Sequence, residues 1–279
     1  MMLPRAVSCV VLLASAFASR AQDAHEIVRR AAELHERDYR ASHQYTYLQR
    51  QDIRELDHSG RIQNRKIETF EITLLEGSPY RRLVARDDHP ISADEQKAEQ
   101  DKLQWAAGQR RMETAEQRAR RVAEYQRRQD RQREPIREVA DAFDFKLLGQ
   151  DQYGGRAVYR IEGTPKPGFK PKSQFAAMFP KVQLRLWIDK NDDQAARVEM
   201  EVLDSISFGG VFVRLTKGSR LVIEQTRMPE GVWVPKQVAL TAAARILLLK
   251  GLNREMDFSF SDYKKITVAP DVVAVARKP

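Results

Sequence analysis

From about residue 143 to residue 260 the chain is a succession of short segments in which apolar and polar residues alternate, each ended by turn-forming residues. A side-chain period of two puts one apolar face on every such strand, and that face must be covered or must close on itself. The clearest segments are Lys181 to Asp189, with Val182, Leu184, Leu186 and Ile188 alternating with Gln183, Arg185 and Trp187, and Arg197 to Phe208, with Val198, Met200, Val202 and Ile206. Lys190-Asn191-Asp192-Asp193 joins them with turn chemistry. Val211, Val213 and Leu215 follow, then the Lys217-Gly218 turn, Leu221 and Ile223, the Pro229-Glu230-Gly231 turn, Val232 and Val234, and finally Met256, Phe258 and Phe260. The connections are short enough for hairpins, which predicts an antiparallel meander.

The first half supplies more strands and the cover. Apolar residues Ala24, Ile27, Ala31 and Leu34 recur at helical spacing behind Asp23, which predicts a capped helix from about Ala24 to Arg40. Alternation then sets Tyr45, Tyr47 and Gln49 against Thr46, Leu48 and Arg50. After a Ser59-Gly60 turn, Phe70, Ile72 and Leu74 share one side of a second strand, and a third runs from Tyr80 to Ala85 beyond Gly77-Ser78-Pro79. From Ser92 to Glu134 the chain is highly charged, has no proline and begins with the capping box Ser92-Ala93-Asp94-Glu95, so it reads as one long helix or a helical hairpin. Its Gln109–Glu134 stretch sets nine arginines against five acids. That is either a basic surface for acidic lipid or protein, or a solvated face laced with ion pairs. Pro135 is expected to begin a separate short helix through Phe143.

Arg5, the apolar run from Val7 to Ala18 and Ser19-Arg20-Ala21 have the order of a secretory leader, with cleavage expected after Ala21. The reading is therefore a leader over residues 1–21 and a single domain over 22–279, with 92–141 as a helical lid or insertion. Cys9 lies at the start of the apolar run rather than at the cut, so no acyl anchor is expected, and no disulfide is available to the mature chain. The formal charge falls from +9 to +7 on cleavage, because Arg5 and Arg20 leave and no acid does. That balance favours anionic partners, a membrane surface or an envelope protein. Nucleic acid is not expected, since the chain has no aromatic-basic RNA motif.

Tests for chemistry return little. All five histidines, His25, His35, His43, His58 and His89, fall in the first third without the spacing of a metal site. Asp189-Lys190-Asn191-Asp192-Asp193 imitates the start of a calcium loop, but Gln194 and Met200 stand where glycine and glutamate are needed. There is no Gly-x-Ser-x-Gly elbow and no phosphate loop. We expect no enzyme, no metal and no cofactor.

The second half, roughly Phe143 to Ile266, resembles a known family. The order is the Gly154-Gly155-Arg156 turn, Ile161 leading to Thr164-Pro165-Lys166-Pro167-Gly168, Leu186-Trp187-Ile188-Asp189-Lys190, Phe208-Gly209-Gly210, Gly231-Val232-Trp233-Val234-Pro235 and a closing Tyr263-Lys264-Lys265. It is similar to the periplasmic LolA/LolB-like lipoprotein-carrier superfamily and its outer-membrane lipoprotein-sorting relatives. The resemblance implies an α+β chain, mainly antiparallel β, whose strongly curved open sheet, a half barrel, is lidded by helices and holds acyl chains on its concave face. It also implies a periplasmic location. The charged segment 92–134 is larger than the usual lid, which leaves the shape of the mouth open.

On that reading Leu184, Leu186, Ile188, Met200, Val202, Val213, Ile223, Val234, Phe258 and Phe260 line the concave side, around either a hollow or a filled core. Trp105 and Met112 are the candidate gate. Arg110, Arg111, Arg118, Arg120 and Arg121 form the anionic-partner patch. The expected function is a monomeric carrier or chaperone for a lipid or lipoprotein acyl chain. The alternative is a non-enzymatic envelope scaffold or sensor that docks an acidic protein through the arginine-rich helix.

Overall fold

The computed structural model describes residues 8–57, 59–208, 213–246 and 252–266, with side chains described over 24–57, 59–207, 215–242 and 253–266. The chain opens with helix α1 (Ser8–Ser42) and three strands, β1 (Tyr45–Leu56), β2 (Ile62–Leu75) and β3 (Ser78–Arg86), followed by a two-residue strand β4 (His89–Pro90). Glu76 and Gly77, at φ 45° and 84°, make the tight turn between β2 and β3. Both central residues have positive φ, the geometry whose twist matches the flanking strands.

Helices α2 (Ala93–Met112) and α3 (Ala115–Ala142) come next. The capping box predicted at Ser92 and Glu95 is present, and a second one, Thr114 with Gln117, restarts the helix, so segment 92–134 is two helices. The remaining strands are β5 (Phe143–Tyr153), β6 (Arg156–Pro165), β7 (Val182–Asp189), β8 (Ala195–Val202), β9 (Ile206–Phe208), β10 (Val213–Leu215), β11 (Arg220–Arg227), β12 (Trp233–Ile246) and β13 (Leu252–Lys265). A 3-10 turn at Ala176–Lys181 precedes β7.

Among the described residues these strands form one antiparallel sheet of thirteen, with the path β4-β3-β2-β1-β13-β12-β11-β8-β7-β6-β5. β9 and β10 lie off the path, β10 pairing with the end of β12. The two ends of the path, β4 and β5, do not pair, so the sheet is open, a half barrel with helices over its hollow side.

Four expectations from the sequence change. The meander is interrupted at its centre, where β1 takes β13 as its second neighbour through eleven paired positions. The strand expected from Arg197 to Phe208 breaks after Val202, where Asp204 accepts the Ser205 N–H at 2.8 Å and turns the chain into β9. Pro135 does not begin a helix but sits inside α3. A mid-helix proline costs about 3 kcal/mol; the turns beyond it are held by Val139 and Ala142 in the core and by the buried Glu138 carboxylate, which accepts the N–H groups of Lys172 and Ser173 at 2.7 and 2.9 Å. Asp23 is an interior residue of α1 rather than a cap, because the apolar residues before it extend the helix back to Ser8. The expected leader, residues 1–21, lies outside the residues whose side chains are described, as do Phe208, Gly209 and Gly210. No described helix is long and apolar enough to cross a membrane.

The packed core sits under the β5–β8 half of the sheet. Ala24, Val28 and Ala31 on α1, Ala142 at the end of α3, and Phe179 in the 3-10 turn press onto Phe143, Phe145, Ile161, Leu184, Leu186 and Ile188. A side chain at Gly163 would place its Cβ 2.9 Å from the Phe145 ring. Glycine there lets the aromatic layer lie directly on the backbone of β6.

Candidate functional site

The other half of the sheet, around β1, β2, β3 and β11 to β13, is not filled. Here α1 and α3 stand off the strands and enclose a cavity of about 460 Å³. Its roof comes from one face of α1, where Tyr39 stands four residues after His35 and three and four before Ser42 and His43, spacings that share a helix side. Tyr125 and Gln129, one turn apart on α3, complete it. The floor follows strand register. Tyr47, Ile72 and Arg81 are paired neighbours across β1, β2 and β3, so their side chains rise on the same face, with Leu74 and Pro79 one step along. Phe260 and Tyr263 of β13, Trp233 and Pro235 of β12, and Ile223 and Gln225 of β11 close the far wall.

Ring contacts hold this lining in place. Tyr47 meets Tyr263 at 5.2 Å and Phe260 at 5.9 Å, Tyr39 meets His43 edge-on at 4.6 Å, and His43 meets Tyr125 at 5.9 Å. Such tilted and edge-on pairs are the favoured geometries for aromatic side chains. The polar tips are directed into partners: Tyr263 Oη donates to the Pro235 carbonyl at 2.6 Å, Tyr39 Oη donates to Gln129 Oε1, and His43 Nδ1 is 2.8 Å from the Tyr39 carbonyl. Arg133 lies over the Tyr39 ring at 4.4 Å and is itself ion-paired to Glu36 and Asp130. Burial raises the pKa of Tyr39, Tyr47 and Tyr263, and pushes Tyr125 up to about 12, so these phenols stay neutral at physiological pH.

His35 is held neutral by the same cause, since burial lowers its pKa against the attraction of Glu36 and Asp38. A folded-state pKa below the unfolded one means that the unfolded chain takes up the proton first on acidification. The contribution is full above the unfolded value and is lost as pH falls through the folded one. Thermal unfolding followed from about pH 7.5 to about pH 5 should therefore show a falling Tm, and His35→Phe should flatten that fall without lowering Tm at the upper pH. An unchanged slope in the variant would remove His35 from the account.

The residues proposed from sequence divide between the two halves of the sheet. Ile223 and Phe260 line the cavity. Leu184, Leu186, Ile188 and Val202 are buried in the packed core with Met200 against them, because α1, α3 and the 3-10 turn fill that half. Val234 is fully buried, but the wall takes its neighbours Trp233 and Pro235. Phe258 is two residues along the strand from Phe260 and is not part of the lining. Val213 lies in β10 and its side chain is outside the described ones.

Trp105 and Met112 are 70% and 81% exposed and stand apart from the cavity, where Tyr125 and Gln129 form the helical lining instead. Arg110 donates to the carbonyls of Leu75 and Ser78 at 2.7 and 3.0 Å, and Arg121 donates to the Glu76 carbonyl at 2.8 Å, to Ser78 Oγ and to Glu113. Two of the five patch arginines thus fasten the β2–β3 turn beneath the helices. Arg118 pairs with Glu76, Arg120 with Glu116, and Arg111 is exposed. No described group of His, Cys, Asp and Glu has the arrangement of a metal site, and His58 lies outside the described residues.

The aromatic roof was missed by a reading that followed the strongest strand periodicity. Its signal in the sequence is the ring set Tyr39, His43, Tyr45 and Tyr47, which crosses from a helix end, at a spacing of four, to a strand start, at a spacing of two, so that no single period joins it.

No family model and no curated protein matches the chain. Solved structures similar to it include a DUF1329 family protein from Desulfovibrio piger, 10% identical, covering 90% of this chain and 95% of that one with a TM-score of 0.34. A putative outer membrane lipoprotein-sorting protein domain from Vibrio parahaemolyticus is 9% identical, with coverage of 88% and 96% and a TM-score of 0.32. A LolA superfamily protein from Nitrosomonas europaea is 11% identical, with coverage of 89% and 95% and a TM-score of 0.30. The half-barrel description rests on the strand order of this chain.

Proposed function

We propose that the chain is a carrier or chaperone of the bacterial envelope that shelters an acyl chain of a lipid or lipoprotein and performs no chemistry on it. The observation that supports this is the cavity of about 460 Å³ between the helical roof and the concave sheet, walled by aromatic and aliphatic side chains. Its size falls in the ordinary range for a small-molecule site. A ten-carbon chain burying its methylenes at ~0.8 kcal/mol each gains roughly 8 kcal/mol before the cost of immobilisation, enough for measurable but reversible binding. Reversibility is what a carrier needs.

Native mass spectrometry of the protein purified from a bacterial envelope tests the reading. Adducts of lipid mass, released on denaturation, are expected. A bare protein mass, together with no uptake of decanol added at saturation, would end it.

A further inference from the structure

The cavity wall has one electrostatic asymmetry. Among its described lining residues Arg81 is the single permanent charge, and none is an acid. Its guanidinium stacks on Phe70 at 3.4 Å. No ion pair or hydrogen bond within the described residues engages it, in contrast to its strand neighbour Arg82, which binds Glu71 at 2.6 Å. The carboxylate whose charge reaches it, Glu68, is already paired with Lys66 at 3.0 Å. Arg81 is exposed on its outer side, so it stands where the cavity meets solvent. An arginine with five donors, held flat by a ring and lacking an anion, is suited to a carboxylate or phosphate approached from water. Next to it on the same face lie Ile72 and Tyr47, which lead inward to Phe260 and Tyr263.

We infer that Arg81 anchors the anionic head of a single-chain amphiphile whose apolar tail occupies the aromatic cavity. This deepens the carrier reading and depends on it. The selectivity it implies is for an acid or phosphate on a chain over the same chain carrying a neutral head.

Isothermal titration at neutral pH with decanoate, decyl phosphate and decanol, on the full chain and on Arg81→Met, Arg81→Lys and Arg81→Glu, separates the possibilities. Methionine keeps the apolar stem on Phe70 and removes the charge. The native protein should bind at least one of the anions about tenfold more tightly than decanol, and Arg81→Met should erase that preference by weakening the anion more than decanol. Lysine should restore part of it, glutamate should invert it, and added salt should weaken anion binding alone. Preference for decanoate over decyl phosphate would assign the head as a fatty acid carboxylate, and the reverse as a phosphorylated lipid. Equal affinity for all three ligands in the native protein, or an equal loss for all three in Arg81→Met, overturns the anchor but leaves the carrier reading standing. Failure to bind decanol as well as both anions removes both.

Discussion

Asp38→Ala should lower the unfolding free energy by about 3 kcal/mol, because it strands two buried donors at once, each costing ~1–3 kcal/mol when left unpaired. Asp38 lies on α1, is 3% exposed, and its Oδ2 accepts Gln194 Nε2 at 3.0 Å and the Trp233 N–H at 3.1 Å. Those two donors come from the turn before β8 and the start of β12, strands that flank β11 on either side. One carboxylate on the roof helix therefore fixes the roof over the cavity. The neighbouring acid Asp192 repeats the device from the sheet side, accepting Trp233 Nε1 at 3.1 Å, Arg227 at 2.6 Å and Arg156 at 3.0 Å. Urea unfolding of Asp38→Ala and Asp38→Asn gives the comparison. Asparagine keeps an acceptor oxygen and should lose well under half as much. An alanine variant as stable as the native protein would show that water replaces the carboxylate without cost.

The second large effect concerns occupancy. Ile223→Trp introduces an indole from the far wall into open space, so the ligand rather than the fold should bear the change. Excluding three methylenes at ~0.8 kcal/mol each lowers decanol affinity about 50-fold. The urea midpoint should stay close to that of the native protein, because a cavity of about 460 Å³ has room for the ring. Undiminished decanol binding in this variant would place the ligand elsewhere. An isoleucine in the filled half, such as Ile188 at 0% exposure, offers no such room, and the same substitution there should unfold the protein.

The contrast between Ile223 and Ile188 also shows what the residues could and could not reveal. Alternation correctly identifies Val182, Leu184, Leu186 and Ile188 as an inward face, since burial on one side of a strand is a local property with a period of two. Whether that face meets packed helix or empty space depends on where α1 and α3 lie, and no local pattern carries this. The strand side bearing Tyr47 and the one bearing Ile72 and Leu74 were equally legible, and they are the faces that do line the hollow. Strand β12 was visible only at its start, because Ala239 to Ala244 includes four alanines that lack the branched side chains by which strands announce themselves. The continuation of α3 through Pro135 is likewise a tertiary result, a local penalty overridden by the contacts of Glu138, Val139 and Ala142. The arginines were legible as charge but not as fasteners, since the carbonyls that Arg110 and Arg121 engage belong to a turn more than thirty residues earlier.

The pairing of β1 with β13 sets the order in which this molecule can be assembled. Every other ladder on the main path except β8 with β11 joins strands that follow one another along the chain, whereas this one closes a loop of some two hundred residues. Contacts so distant in sequence are entropically late and slow the acquisition of structure. A ribosome, or a translocation pore delivering the chain from its amino end, must release nearly all of it before the seam can form. Until then β1 presents an unpaired edge, the kind that recruits other chains. The interval between emergence and seam closure is thus the period in which this protein is most exposed to aggregation and has most use for a holding partner of its own.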